Sequence, residues 1–249
     1  MSIEAFNDFL SLEKNYASNT LLAYTKDLNA FKEFLSSEYG MSDLKSVHYP
    51  QIRRWITLLV DAELSNRSIN RKISALNSYY KFLIKTASLK SSPLSNHKSL
   101  KVQKKVHIPF SEKEVASVLN AINKNNFEAV RNKLIVELLY STGMRRTELI
   151  QLKLNDVDFN QQQLKVLGKR NKERYIPLLL GVQKSINSYI NLRKQLKTIK
   201  DKDFLFLTLK GAKMYGTLVY RIVTNYFDAI SLKIKKSPHV LRHSFATHL

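Results

Sequence analysis

Apolar residues recur every three or four positions along the first hundred residues, the period of helices that bury one face. Ile3, Phe6, Phe9 and Leu10 form such a stripe behind Ser2, a predicted N-cap. A second stripe runs through Leu21, Tyr24, Leu28, Phe31 and Leu35, opened by Ser18 and stopped by Gly40. Pro50 suits a first helical turn, ahead of Ile52, Trp55, Ile56 and Leu59. Ser65 or Asn66 then opens a long helix through Ile69, Ile73, Leu76, Tyr80 and Leu83. Four amphipathic helices with short connections predict a helical bundle over residues 1–88.

The pattern breaks at 89–108, where serines alternate with Lys90, Lys98, Lys101, Lys104 and Lys105 and no acid intervenes. That composition predicts a basic linker, extended by self-repulsion. Ser111-Glu112-Lys113-Glu114 reads as a capping box that begins a second domain, 109–249. Helical spacing covers Val115–Ile122 and Val130–Tyr140 and ends at Gly143. Short β-like runs follow at 157–159, 164–167 and 174–178, separated by polar turns, and predict a small antiparallel sheet. Helical patterning resumes at 182–197 and 218–230, with 204–207 as a further strand candidate. The expected fold is mainly α, with a small antiparallel β-sheet in the second domain.

The charge narrows the partner. Forty-one Lys and Arg against twenty Asp and Glu leave +21, with +7 on residues 1–108 and +14 on 109–249. Such an excess favours a polyanion through counterion release; a solvated basic surface, a membrane surface or a ribosome would also suit it. Twelve Tyr, twelve Phe and one Trp need cores to pack in, which argues against a disordered tail. The absence of cysteine excludes a disulfide scaffold, a thiolate zinc site and a cysteine nucleophile. No apolar run reaches the roughly 18 residues that span a bilayer, and no secretory signal is visible, so a cytoplasmic protein is expected.

Ordinary active sites find little support. There is no phosphate-binding Gly-rich loop, so no nucleotide cofactor is expected, and no nucleophile elbow. His239 and His243 have a zinc-compatible spacing but lack the accompanying Glu and a third ligand, so no metal is expected. Cations stand out instead. Arg145 lies just past Gly143 near a helix start, Lys169 sits in a turn crowded with Arg170 and Lys172, and His239 and Arg242 lie three apart on one helical face. Two arginines and a histidine around a phosphodiester would neutralise the charge that builds in a pentacoordinate transition state. A lysine on a hairpin would protonate the departing 5′ oxygen. The bland alternatives are that Arg145 caps carbonyls or pairs with Glu148, that Lys169 is a solvated turn residue, and that His243 is a buried structural histidine. Duplex contact is expected from Arg67, Arg71 and Lys72 near the start of the fourth helix, from Lys101, Lys104 and Lys105 in the linker, and from Lys172.

Three segments, STGMRRTELIQL, GKRNKERYIPL and SPHVLRHSFATHL, resemble the tyrosine recombinase (phage integrase) family, and within it the bacterial Xer type that resolves chromosome dimers. NYASNTLLAYTKDLNAFKEFL and RSINRKISALNSYYKFL resemble that family's helical core-binding domain. The resemblance implies that Arg145, Lys169, His239 and Arg242 are catalytic. Lys172 remains a rival to Lys169, because Arg170 replaces the glycine usual after that lysine. It also implies two clamp-like domains around double-stranded DNA, a tetramer of related protomers at a synapse, and a tyrosine nucleophile downstream of Arg242. The covalent 3′-phosphotyrosyl link would store the bond energy, so no cofactor is needed. The sequence stops at Leu249, inside what reads as a helix, so a truncated chain, inactive alone, is expected. A non-catalytic DNA-binding protein and a mobile-element integrase are the rival expectations.

Overall fold

The computed structural model describes residues 2–103, 108–122, 126–168 and 172–249, and the chain divides into two compact units, Met1–Lys105 and Val106–Leu249. In the first, α1 (Ile3–Asp8) runs into a short π-helical turn (Phe9–Glu13), followed by α2 (Ser18–Tyr39), α3 (Tyr49–Asp61) and α4 (Asn66–Lys85). Ser2 caps α1 by accepting from the Ala5 amide, and Ser65 caps α4 by accepting from Ser68. Ser18 is not the cap of α2. Ala17 holds that position without a side-chain bond, and Ser18 is already helical. Gly40 closes α2 in the left-handed region at φ 62°, a conformation that glycine enters without a Cβ penalty.

The predicted stripes meet in one core, in which Phe6, Leu28, Phe31, Ile52, Leu76 and Tyr80 are fully buried. Asp27 is buried with them, at 1% exposure, and binds Arg71 and Lys72 of α4. Those bonds satisfy a carboxylate that would otherwise be buried without a partner. The serine-rich stretch does not leave the first unit at residue 89. Leu94 is buried in the same core, Leu89 and Leu100 pack against it, and the Leu100 and Lys101 carbonyls are bonded to α4.

The second unit contains α5 (Glu112–Ala121), α6 (Phe127–Thr142), α7 (Arg146–Gln151), α8 (Leu180–Lys194), α9 (Gly216–Asp228) and α10 (Pro238–His248). Its sheet has β1 (Val157–Asp158), β2 (Gln163–Leu167) and β3 (Glu173–Pro177) in the order β1-β2-β3, all antiparallel. Residues 204–207 do not join it as a strand. They make only isolated bridges, Lys153 with Phe204 and Leu207 with Lys213. α6, the central helix, buries Leu134, Ile135, Leu138 and Leu139 among side chains from α5, α8, α9 and α10. Strand alternation sets one face of the sheet inward: Leu164 and Val166 are buried, and Arg174 pairs directly opposite Val166.

Candidate active site

Three chain segments build the site, and α6 ends at it. Gly143 adopts φ 57° as the C-cap of α6, so the chain reverses at once into α7. A Cβ at this position would overlap the Phe245 ring of α10, so Gly143 meets both a backbone and a packing requirement. Arg145 is the N-cap of α7, and Glu148 occupies the third helical position. The Glu148 carboxylate accepts from the Arg145 amide at 2.7 Å and from Arg145 Nη1 at 2.8 Å. Because Arg174 sits on the inward face of β3, its guanidinium reaches the same carboxylate with a two-pronged bond, 3.1 and 2.7 Å. From α10, Arg242 donates to the Gly143 carbonyl.

The electrostatics follow from this crowding. The Glu148 side chain is 4% exposed. Burial alone would raise its pKa, but hydrogen bonds from Arg174 and from the Arg145 amide and guanidinium outweigh burial and hold it at about 2. Arg242 is lowered too, first by burial and then by the nearby positive charge of Arg145, so there the charged form is the one disfavoured. Three guanidinium groups thus gather around a single carboxylate and leave two positive charges. The Arg145 side chain stays 40% exposed, open to an anion. Such an arrangement is suited to a phosphate, because fixed guanidinium groups need no reorganisation as negative charge grows.

The structure brings Arg145 close enough to Arg242 for their charges to interact. His239 stands exposed in the first turn of α10, three residues before Arg242. His243 is not buried. Val240, Leu241 and Ser244 form the inward face of α10, which leaves positions 239 and 243 exposed on the other. Lys169 lies outside the described residues, as do Lys104 and Lys105. Lys172 is exposed at the base of the hairpin, where its carbonyl accepts from the Gly168 amide at 2.8 Å. Pairing of Arg145 with Glu148 and its place in the cluster hold together.

Arg174 is the member that the sequence analysis does not single out. Its signal was strand parity, since position 174 shares a face with buried Leu164 and Val166. Of the expected duplex contacts, Arg67 and Lys101 are exposed, and Arg71 keeps 47% exposure while paired with Asp27. Lys72 is only 14% exposed, bonded to Asp27 at 3.0 Å with its ammonium over the Trp55 ring. A groove of about 620 Å³ between α6 and α8, flanked by Lys133 and Lys184, shares no residue with the cluster. Among the described residues no three His, Asp or Glu side chains gather as a metal site, and no helix is long and apolar enough to cross a membrane.

The phage integrase family model matches residues 109–249, and the model of the phage integrase N-terminal SAM-like domain matches residues 3–87. The chain belongs to the phage integrase family, the tyrosine recombinases. The tyrosine recombinase XerC of Anoxybacillus flavithermus is 32% identical over 251 residues, covering 100% of this chain and 83% of that protein. XerC of Bacillus subtilis is 31% identical over 250 residues, covering 99% of this chain and 82% of that protein. The solved structure of the XerH site-specific recombinase bound to a palindromic difH substrate superposes with a TM-score of 0.75 and covers 99% of this chain and 73% of that one. Its 21% identity makes that a likeness of fold.

Proposed function

We propose that this chain supplies the duplex-binding and phosphate-activating parts of a site-specific DNA recombinase, acting in chromosome dimer resolution. The observation that carries this reading is the guanidinium cluster of Arg145, Arg174 and Arg242 around buried Glu148, in a chain that belongs to the tyrosine recombinases. Arg145 and Arg242 bind the non-bridging oxygens of the scissile phosphate and stabilise the charge that develops there. His239, on the same helix as Arg242, donates an imidazole N–H to a non-bridging oxygen of the reacting phosphate. Lys169, with Lys172 as its rival, protonates the 5′ oxygen as the phosphorus–oxygen bond breaks. The attacking group is a tyrosine hydroxyl, which forms a 3′-phosphotyrosyl bond. Ligation reverses the step, with the 5′ hydroxyl as nucleophile and the tyrosine as leaving group. Four related protomers at a synapse would exchange strands in turn.

No tyrosine follows Arg242 in these 249 residues. We therefore expect them, alone, to form no covalent adduct, because the bound phosphate lacks an aligned nucleophile. Incubation with a nicked duplex that traps cleavage, followed by denaturing electrophoresis, should show no shifted band. A band abolished by mutating a tyrosine within residues 1–249 would overturn this expectation. In a chain carrying the downstream tyrosine, Lys169→Ala should slow cleavage by about 10²–10⁴-fold. A bridging 5′ sulfur, a better leaving group, should restore most of that rate. Rescue confined to Lys172→Ala would reassign the acid.

A further inference from the structure

We propose that Asn70 and Asn66 are positioning residues for duplex binding, which hold the main chain at Leu100 and Lys101 against α4 so that Lys101 meets a phosphate as a fixed partner of Arg67. The inference rests on the duplex-binding reading above. Asn70 exchanges two bonds with a single residue. Its Nδ2 donates to the Leu100 carbonyl at 2.8 Å, and its Oδ1 accepts from the Leu100 amide at 2.9 Å. A carboxamide is the side chain able to return both bonds to one backbone unit, as a neighbouring strand would. Asn66, one turn earlier and adjacent to Arg67, donates from Nδ2 to the Lys101 carbonyl at 2.8 Å.

The clasp closes an anchored loop. Leu94 is buried in the bundle core, Leu100 packs against it, and Tyr49 Oη lies 3.3 Å from His97 Nδ1. Residues 94–101 are therefore held at both ends, although their composition reads as a free linker. Neither asparagine carries charge, and both face a neutral backbone. The Asn70 amide is occupied by the strap at both its nitrogen and its oxygen, and the Asn66 nitrogen is bonded to the strap as well. Arg67, Lys98 and Lys101 are exposed here, and of the two strap lysines Lys101 is the one whose own carbonyl is bonded to α4. A lysine on an unheld linker would have to order that backbone on each encounter, and the clasp removes that entropic cost beforehand.

This arrangement makes an unusual prediction: removing a neutral side chain should change a charge-dependent quantity. Each phosphate neutralised contributes about 0.9 to the slope of log affinity against log salt. Asn70→Ala should therefore lower the slope by about 0.9 and weaken binding by up to about eightfold at 0.1 M salt. Lys101→Ala should do the same, and the double variant should fall no further. Asn66→Ala, which removes a single bond, should lie between wild type and Asn70→Ala.

Hydrogen exchange without DNA tests the clasp separately. The Leu100 amide should be protected in the wild-type chain and unprotected in Asn70→Ala, with Trp55 fluorescence unchanged as a check on the fold. Rapid Leu100 exchange in the wild type would overturn the clasp whatever the DNA result. Protection lost with an unchanged salt slope would overturn the role of Lys101. A wild-type chain that keeps Leu100 protected but binds duplex without salt dependence would instead defeat the duplex-binding reading.

Discussion

Glu148 shows how much can hang on one side chain. Its carboxylate holds Arg145 and Arg174 together, and both ends of the bond are parts of the proposed phosphate site. Glu148→Gln would leave three cations facing one another. Loss of one partner of a buried ion pair typically costs about 3–5 kcal/mol, and the partial exposure of these arginines places the expected loss near the lower end. Thermal unfolding with a sulfate titration would check this, since added anion should stabilise the variant more than the wild type.

The pH dependence has a definite sign. The folded-state pKa of Glu148 is about 2, below the ordinary 4.5, so the unfolded chain binds the proton more readily. The associated stability is complete above about pH 4.5 and disappears as pH falls toward about 2. Glu114 behaves alike. Burial opposes its charge, but hydrogen bonds from Lys233, Ser231 and Ser111 hold its pKa at about 2. Melting temperature should therefore fall steeply between about pH 4.5 and 2, and Glu148→Gln should flatten part of that decline.

At the scale of elements, α10 is placed by its contacts with the α6–α7 turn. Phe245 covers Gly143, Arg242 binds the Gly143 carbonyl, and Tyr140 Oη lies 2.9 Å from His248 Nδ1. Gly143→Ala should destabilise the second unit by about 2–4 kcal/mol, combining left-handed strain with displacement of the ring. In a Phe245→Ala background the same change should cost only about 1–2 kcal/mol, the strain alone. Equal costs in both backgrounds would show that the ring does not set the position of α10. On α4 the contrast is between neighbours. Lys72 is enclosed by Asp27 and Trp55, so Lys72→Ala should lower the melting temperature with little change in the salt slope. Exposed Arg67 should behave in the opposite way, with a slope reduced by about 0.9 and stability nearly unchanged.

For the whole molecule, the +21 charge is the dominant property. A duplex engaged through six to ten phosphates should lose about 10³–10⁵ in affinity between 50 and 200 mM salt, measurable by fluorescence anisotropy. A flat response would contradict binding through both units. The charge lies +7 on residues 1–108 and +14 on 109–249, so neither unit binds as a neutral passenger.

Sequence alone was enough for most of the helices and the three motif segments, because these depend on local periodicity, turn residues and short-range spacing. The stripe Ile69, Ile73, Leu76, Tyr80, Leu83 is buried as its spacing requires. Where the reading went astray, residues distant in the chain compete for the same groups. Lys72 looks like a surface cation until Asp27, 45 residues earlier, is found beneath it. The serine- and lysine-rich stretch has the composition of a free linker, yet two asparagines about 30 residues back bind its main chain. Arg174 joins Glu148 only when the strands pair and place it inward, and His243 is exposed because α10 turns Val240, Leu241 and Ser244 toward the core. Periodicity states which side chains share a face. Which face is buried, and which charges meet there, is decided when the elements pack.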